Sequence, residues 1–154
     1  MTDIREDIYA ALETRLETIT VAAGYRTTID TVEKGYRDPS EVKSAERPYI
    51  GITFLREDYQ DEPSRVITMM RLALACYVTP TAATQTAVGA AMSNLTADIR
   101  KALYASPQNL SVDQVIFVRV VSRQGTEGLT EAARTRTGEM LLEIVVKFWE
   151  DHTG

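Results

Sequence analysis

The sequence predicts an α+β domain: a mostly antiparallel sheet of about five strands with two helices packed on one face. Three observations lead there. The apolar patterns run in the order α-β-β-β-α-β-β, so helices do not alternate with strands as a doubly wound parallel sheet requires. Arg65 to Val78, RVITMMRLALACYV, is an aliphatic and β-branched run without Gly or Pro, stopped by Pro63 on one side and Pro80 on the other. Two other stretches repeat apolar residues every three or four positions, the spacing of a helix that buries one stripe.

Residues 3–21 read as the first helix, with Ile4, Ile8, Leu12, Leu16 and Ile19 on the stripe and Arg5, Glu6, Glu13, Arg15 and Glu17 elsewhere on the wheel. Thr2 or Asp3 supplies a cap, and Gly24 suits the left-handed position that closes the segment. Residues 25–33 alternate and are rich in threonine, which predicts a modest strand. The polar stretch 34–46 follows. Its own composition supplies too little apolar burial to fix it, so it is expected to order only on assembly. Residues 47–56 give the second strand, with Ile50, Ile52 and Phe54 on one side, and 57–64 form an acidic hairpin loop ahead of the long strand.

Thr84 or Thr86 caps a second helix running to about Tyr104, striped by Val88, Met92, Leu95, Ile99 and Leu103. Two strands close the chain: 115–123, with Ile116, Val118 and Val120 inward, and 138–150, with Met140, Leu142, Ile144, Val146 and Phe148 inward. The connection between them is again long and polar. No repeat, low-complexity segment or boundary divides the 154 residues, which read as one domain able to bury about 70% of its unfolded surface.

Composition narrows the function. An apolar fraction of 44% and a charged fraction of 25% are those of a soluble globular chain, and a net charge of −5 argues against a protein that works by neutralising phosphates. Cys76, the single cysteine, reads as a small buried side chain, since one thiol builds neither a disulfide framework nor a thiolate-rich metal site. The start, MTDIREDIY, has no signal-peptide pattern, and no apolar stretch approaches the ~18 residues of a membrane helix, so synthesis in the cytoplasm is expected.

GxGxxG, GxxxxGK, GxSxG and HExxH are missing, and His152, the one histidine, sits in the tail. Glu57, Asp58, Asp61 and Glu62 cluster on a hairpin loop, without the rigid and differing environments that acid–base carboxylates need. Arg134 and Arg136 are accompanied by Glu127, Glu131 and Glu139, a mixture that suits a neighbouring protein better than a phosphate. No catalytic residue, metal ligand or cofactor site is assigned.

The outer face of the sheet is more informative. With period two it gathers Arg65, Ile67, Met69, Arg71 and Tyr77, then Phe117, Arg119 and Val121, then Leu141, Glu143, Val145, Lys147 and Trp149. Arginine, methionine and aromatic side chains beside opposed charges have the composition of an interface core. Self-association is one way to cover such a face, and a terminal segment or long loop of the same chain is the other. The subunit-interface candidates are Ile67, Met69, Arg71, Tyr77, Phe117, Arg119, Glu143, Lys147 and Trp149.

The order of elements carries a resemblance. ALETRLETITVAAGYRT is followed by a polar loop, RPYIGITF, an acidic hairpin tip and the long central strand. AMSNLTADIRKAL and the closing GEMLLEIVVKFWE complete the pattern. Over nearly its whole length the chain resembles the tail terminator proteins of long-tailed bacteriophages. The likeness rests on order, spacing and texture, and it offers no motif residue for transfer.

The resemblance implies a sheet with helices on one side, a homo-oligomeric ring of six with the sheets toward the inside, no enzymatic activity and no cofactor. It places the protein at the head-proximal end of the tail in a virion. The implied partners are the tail tube protein and a head-completion or connector protein; DNA passes with little affinity, and no membrane is involved. Arg37, Glu41, Lys43, Glu57, Asp58, Asp61, Glu62, Arg134 and Arg136 are the candidate tube- and head-contact residues. A head-closure adaptor is the alternative in the same class. A small α+β enzyme or nucleic-acid-binding module is the alternative outside it, weakened by the lack of stacked aromatics flanked by basic residues on mid-strand positions.

Overall fold

The computed structural model describes residues 3–80, 85–126 and 137–152. In chain order these form α1 (Ile4–Glu17), β1 (Thr31–Lys34), β2 (Tyr49–Asp61), β3 (Arg65–Val78), α2 (Gln85–Leu103), β4 (Val115–Thr126) and β5 (Gly138–Asp151), with short 3-10 turns at Val21–Ala23, Pro39–Glu41 and Ser44–Glu46. The strands make one sheet in the order β1-β2-β3-β5-β4, in which β1 runs parallel to β2 and every other pair is antiparallel. The architecture is α+β, as the pattern of elements predicts.

β3 is the middle strand, paired with β2 on one side and with β5 over its full length on the other. Its even-numbered side chains, Met70, Leu72, Leu74, Cys76 and Val78, face the helices. Ile50 and Ile52 of β2 and Met140 to Phe148 at alternate positions of β5 extend the same surface. α1 covers it with Ile8, Leu12 and Leu16, and α2 with Val88, Met92, Leu95 and Ile99. Each such side chain contributes about 1.5–3 kcal/mol by leaving water, so this layer is the main source of stability. Cys76 is buried in it, and burial pushes its thiol well above the usual range, leaving a small inert core side chain.

The helices are fixed at their ends by polar contacts. Asp3 caps α1 by accepting the Arg5 N–H at 2.8 Å. The guanidinium of Arg15 donates to the carbonyls of Ala102, Ala105 and Pro107 at 2.8–3.0 Å, satisfying the C-terminal end of α2. Asp98 on α2 is buried and accepts the Arg26 N–H, which ties the turn after α1 to the second helix.

Several boundaries depart from the sequence reading. α1 stops at Glu17, and Ile19 reaches the core from a separate turn closed by Gly24 at φ 95°. The first strand shrinks to Thr31–Lys34, because the Ile29 N–H is taken by the Ile19 carbonyl. Residues 57–61, expected in a loop, continue β2, since the 14-residue β3 offers a ladder to Val66. Phe54 shares the face of Leu72 but is 48% exposed, because β1 pairs with β2 only as far as Ile52. In β4 a bulge between Val115 and Phe117 turns Val115 inward and leaves Ile116 44% exposed. A second bulge sets Ser122 opposite Glu143, so Val121 is an extra residue on the strand.

The bulge between Phe54 and Arg56 has a larger consequence: Glu57 comes opposite Met70, on the helix side. There its carboxylate accepts two hydrogen bonds of 2.7 Å from Arg5, and the guanidinium lies 5.4 Å from the Phe148 ring centroid and reaches Glu150 at 3.1 Å. The side chain of Glu57 is only 6% exposed, and the Arg5 hydrogen bonds hold its carboxyl below the usual carboxylate range.

A depressed folded value means that the pair adds stability above the unfolded value of about 4.3, stability lost as pH falls through the folded value. Thermal melts from pH 7 to pH 3 should therefore show the wild type losing melting temperature below about pH 4 more steeply than Glu57→Gln. Arg5→Ala, which strands the carboxylate, should cost roughly 1–3 kcal/mol at pH 7 by urea unfolding. Parallel pH curves for wild type and Glu57→Gln would show that the pair contributes nothing.

Candidate assembly surface

With α1 and α2 on one side, the opposite face of the sheet has no α-helical cover among the described residues. The register places Ile67 beside Trp149, Met69 beside Lys147, Arg71 beside Val145, Ala73 beside Glu143 and Tyr77 beside Glu139. Phe117 and Arg119 continue these rows on β4. The nine sequence-derived interface candidates, Ile67, Met69, Arg71, Tyr77, Phe117, Arg119, Glu143, Lys147 and Trp149, thus share one surface.

Much of it is desolvated within the single chain. Phe117 is flanked by Arg119 at 4.3 Å and Lys147 at 5.7 Å, and Arg65 lies 5.9 Å from the Trp149 ring. Arg71 donates to Glu143 at 3.1 Å and has Asp58 at 3.9 Å, an ion-pair row across three strands. Ile67 and Val145 are buried between these long side chains.

One end of this face is roofed by the segment 34–46, contrary to the expectation that it orders only on assembly. The missing apolar partners come from the strands. Val42 packs on Tyr49, Ala75 and Tyr77, and the two tyrosine rings stack 5.1 Å apart. Tyr49 Oη donates to Glu33 at 2.6 Å and accepts the Arg37 N–H, while Tyr77 Oη donates to the Arg37 carbonyl at 2.8 Å. The Tyr49 hydroxyl, seconded by Arg37, holds the Glu33 carboxyl below its ordinary range, and burial raises both phenols. Arg47 fastens the other flank through the Pro39 carbonyl at 2.7 Å and the hydroxyls of Thr79 and Thr137.

The chain passes so close over the sheet that a Cβ on Gly51 would lie 2.6 Å from the Gly35 carbonyl oxygen. Gly35 itself has φ 80° and donates its N–H to the Ile52 carbonyl.

Between this roof and the ion-pair row lies a groove of about 650 Å³. Ala73, Ala75 and Thr53 line it together with Tyr36, Leu55 and Leu141. Sequence reasoning passed over the two alanines, although small residues at period two in an otherwise bulky run are the signal of a depression.

The rim candidates separate. Arg37 is an internal clamp, bonded to Glu33 at 2.8 Å and Glu46 at 2.7 Å, and Glu57 belongs to the helix side. Glu41 and Lys43 are exposed, as are Asp58 and Asp61, while Glu62 is paired with Arg65 at 2.7 Å. The carbonyl of Glu62 also lies 2.7 Å from Nε2 of His152. Arg134 and Arg136 lie outside the described residues. Among the described residues no group of three His, Cys, Asp or Glu side chains is placed to hold a metal ion.

No family model matches the chain, and no curated protein matches it. Among solved structures, a chain in the virion of native gene transfer agent (GTA) particle has the same fold. The TM-score is 0.57 at 13% sequence identity, over 92% of this chain and 94% of that one.

Hydrogen exchange tests the roof. Tyr49→Phe removes the hydroxyl shared by Glu33 and Arg37, and Gly51→Val forces the crossing backbone away. Amides of 35–46 should exchange at least about tenfold faster in either variant, with those of β3 and β5 unchanged. Equal protection in all three proteins would show that these contacts do not hold the segment.

Proposed function

We propose that this chain is a structural subunit of a phage-like particle, and that it forms a ring, six subunits in closed form, at the head-proximal end of a tail. In that place it ends the growth of the tail tube and presents the surface onto which the head docks. The observation that carries the reading is the end-to-end fold likeness to a chain of a GTA virion.

The physical logic of termination fits such a subunit. A heterologous contact that repeats without closing grows indefinitely, so a tube needs a different protein at its end. One rim of the ring must match the exposed tube and the other must refuse a further tube subunit. The exposed Asp58 and Asp61 at one end of the strands and the roofed segment with Glu41 and Lys43 at the other give the two rims different chemistry. A subunit already seated on the tube also raises the effective concentration of the next contact, so a tube end promotes the ring closure that free subunits reach only at high concentration. With a net charge of −5, the ring lets DNA pass with little affinity for it.

Deleting the gene from its particle, and adding purified protein to tube subunits polymerising in vitro, test the reading. The deletion should leave overlong tubes without heads, and the addition should arrest tubes at a length set by the time of addition. Tubes of normal length that merely fail to join heads would assign the chain to head closure instead. Complete particles without the protein would contradict both.

A further inference from the structure

Among the described residues the two lateral edges of the sheet have no neighbouring strand, and they differ in charge. The pairing of β1 with β2 ends at Ile52, so among the described residues the outer edge of β2 over residues 53–61 has no neighbouring strand, and β4 is the terminal strand on the other side. The free stretch of β2 exposes Asp58 and Asp61 beside Arg56, whereas β4 exposes Arg119 and has no carboxylate. Both edges also expose apolar side chains: Phe54, Leu55 and Tyr59 on β2 at 46–65%, and Ile116 and Val121 on β4 at 44% and 49%. A stable monomer normally blunts such edges, and paired apolar exposure on both sides of one sheet marks contact surfaces.

Strand direction supplies the geometry. β2, β3, β5 and β4 are successive antiparallel neighbours, an even number, so the two edge strands run in opposite directions. Rotation about a ring axis preserves strand direction relative to that axis. β4 of one copy therefore meets β2 of the next in antiparallel sense without either subunit being turned over. Pairing like edges instead sets arginines against arginines or carboxylates against carboxylates, which is repulsive.

We propose that the β4 edge of one copy docks against the free β2 edge of the next, and that this contact, repeated, builds the ring. The inference rests on the ring reading above and specifies which surfaces join the subunits. Side chains make the contact rather than an unbroken ladder. Two bulges interrupt β4, and the Val120 N–H on its outer side is already taken by the Tyr104 hydroxyl at 3.0 Å. The outer sheet face is then left to line the ring.

Two single-edge variants test this by sedimentation velocity at rising concentration. One carries Arg119→Glu with Val121→Glu on β4; the other carries Phe54→Lys with Asp61→Lys on β2, all at surface positions so that circular dichroism and melting temperature stay close to wild type. Each variant alone should need at least about tenfold more protein to assemble, while an equimolar mixture should assemble more readily than either, since intact edges meet at one contact and charge-exchanged edges at the next.

A chain carrying both Arg119→Glu and Asp61→Lys, which exchanges the charges, should regain rings. Wild-type rings together with unimpaired single-edge variants would overturn the edge assignment and leave the ring reading standing. A β2 variant that dimerises alone would show like-edge pairing and overturn it as well. A wild type that stays monomeric would overturn both readings.

Discussion

Burying both faces of β3 is the constraint from which the rest of the molecule follows. From Leu72 to Val78 every residue of this strand is buried, and it is hydrogen-bonded to β2 on one side and β5 on the other. A strand apolar on both faces needs cover on both, and the chain supplies two different covers. α1 and α2 pack on the even-numbered side. On the odd-numbered side Ala73 and Ala75 are buried by Arg71, Glu143 and the roof that Val42 forms over Tyr77. The helices cannot serve both sides, because their apolar stripes are already used.

That division decides what the surface can do. Arginines that might have formed an anion site are occupied as fasteners: Arg5 on Glu57, Arg15 on the end of α2, Arg37 between Glu33 and Glu46, and Arg47 beneath the roof. A planar guanidinium suits this use, since one group satisfies several carbonyls and carboxylates at once. Among the described residues, the surfaces left to meet other molecules are therefore the unroofed part of the sheet face, the two edges and the hairpin end. These are broad and shallow, apart from the groove over Ala73 and Ala75. Broad surfaces serve assembly, whereas small-molecule chemistry needs converging polar groups in an enclosed site.

Long periodic elements were legible in the sequence. The stripe Val88, Met92, Leu95, Ile99, Leu103 and the alternation from Met140 to Phe148 both map onto the core, and the outer-face candidates fall on one surface, because period alone decides which side chains share a face. What could not be read were single-residue and long-range effects. Bulges at Phe54/Arg56 and Val115/Phe117 shift the period by one, which moves Glu57 to the helix side and exchanges Val115 with Ile116. The roof over 34–46 depends on the hydroxyls of Tyr49 and Tyr77, far away in sequence from the backbone they bind. Composition within the segment carries no trace of partners supplied by strands.

In the proposed assembly, copies of this chain close into a ring with helices outside and the outer sheet face toward the lumen. Electron cryomicroscopy of the purified assembly tests it most directly. The expected result is a closed six-fold ring of 17.2 kDa subunits in which Arg71, Glu143 and Lys147 face the channel and α1 and α2 form the outer wall. A ring whose channel is lined by the helices, or an open filament in place of a ring, would contradict it.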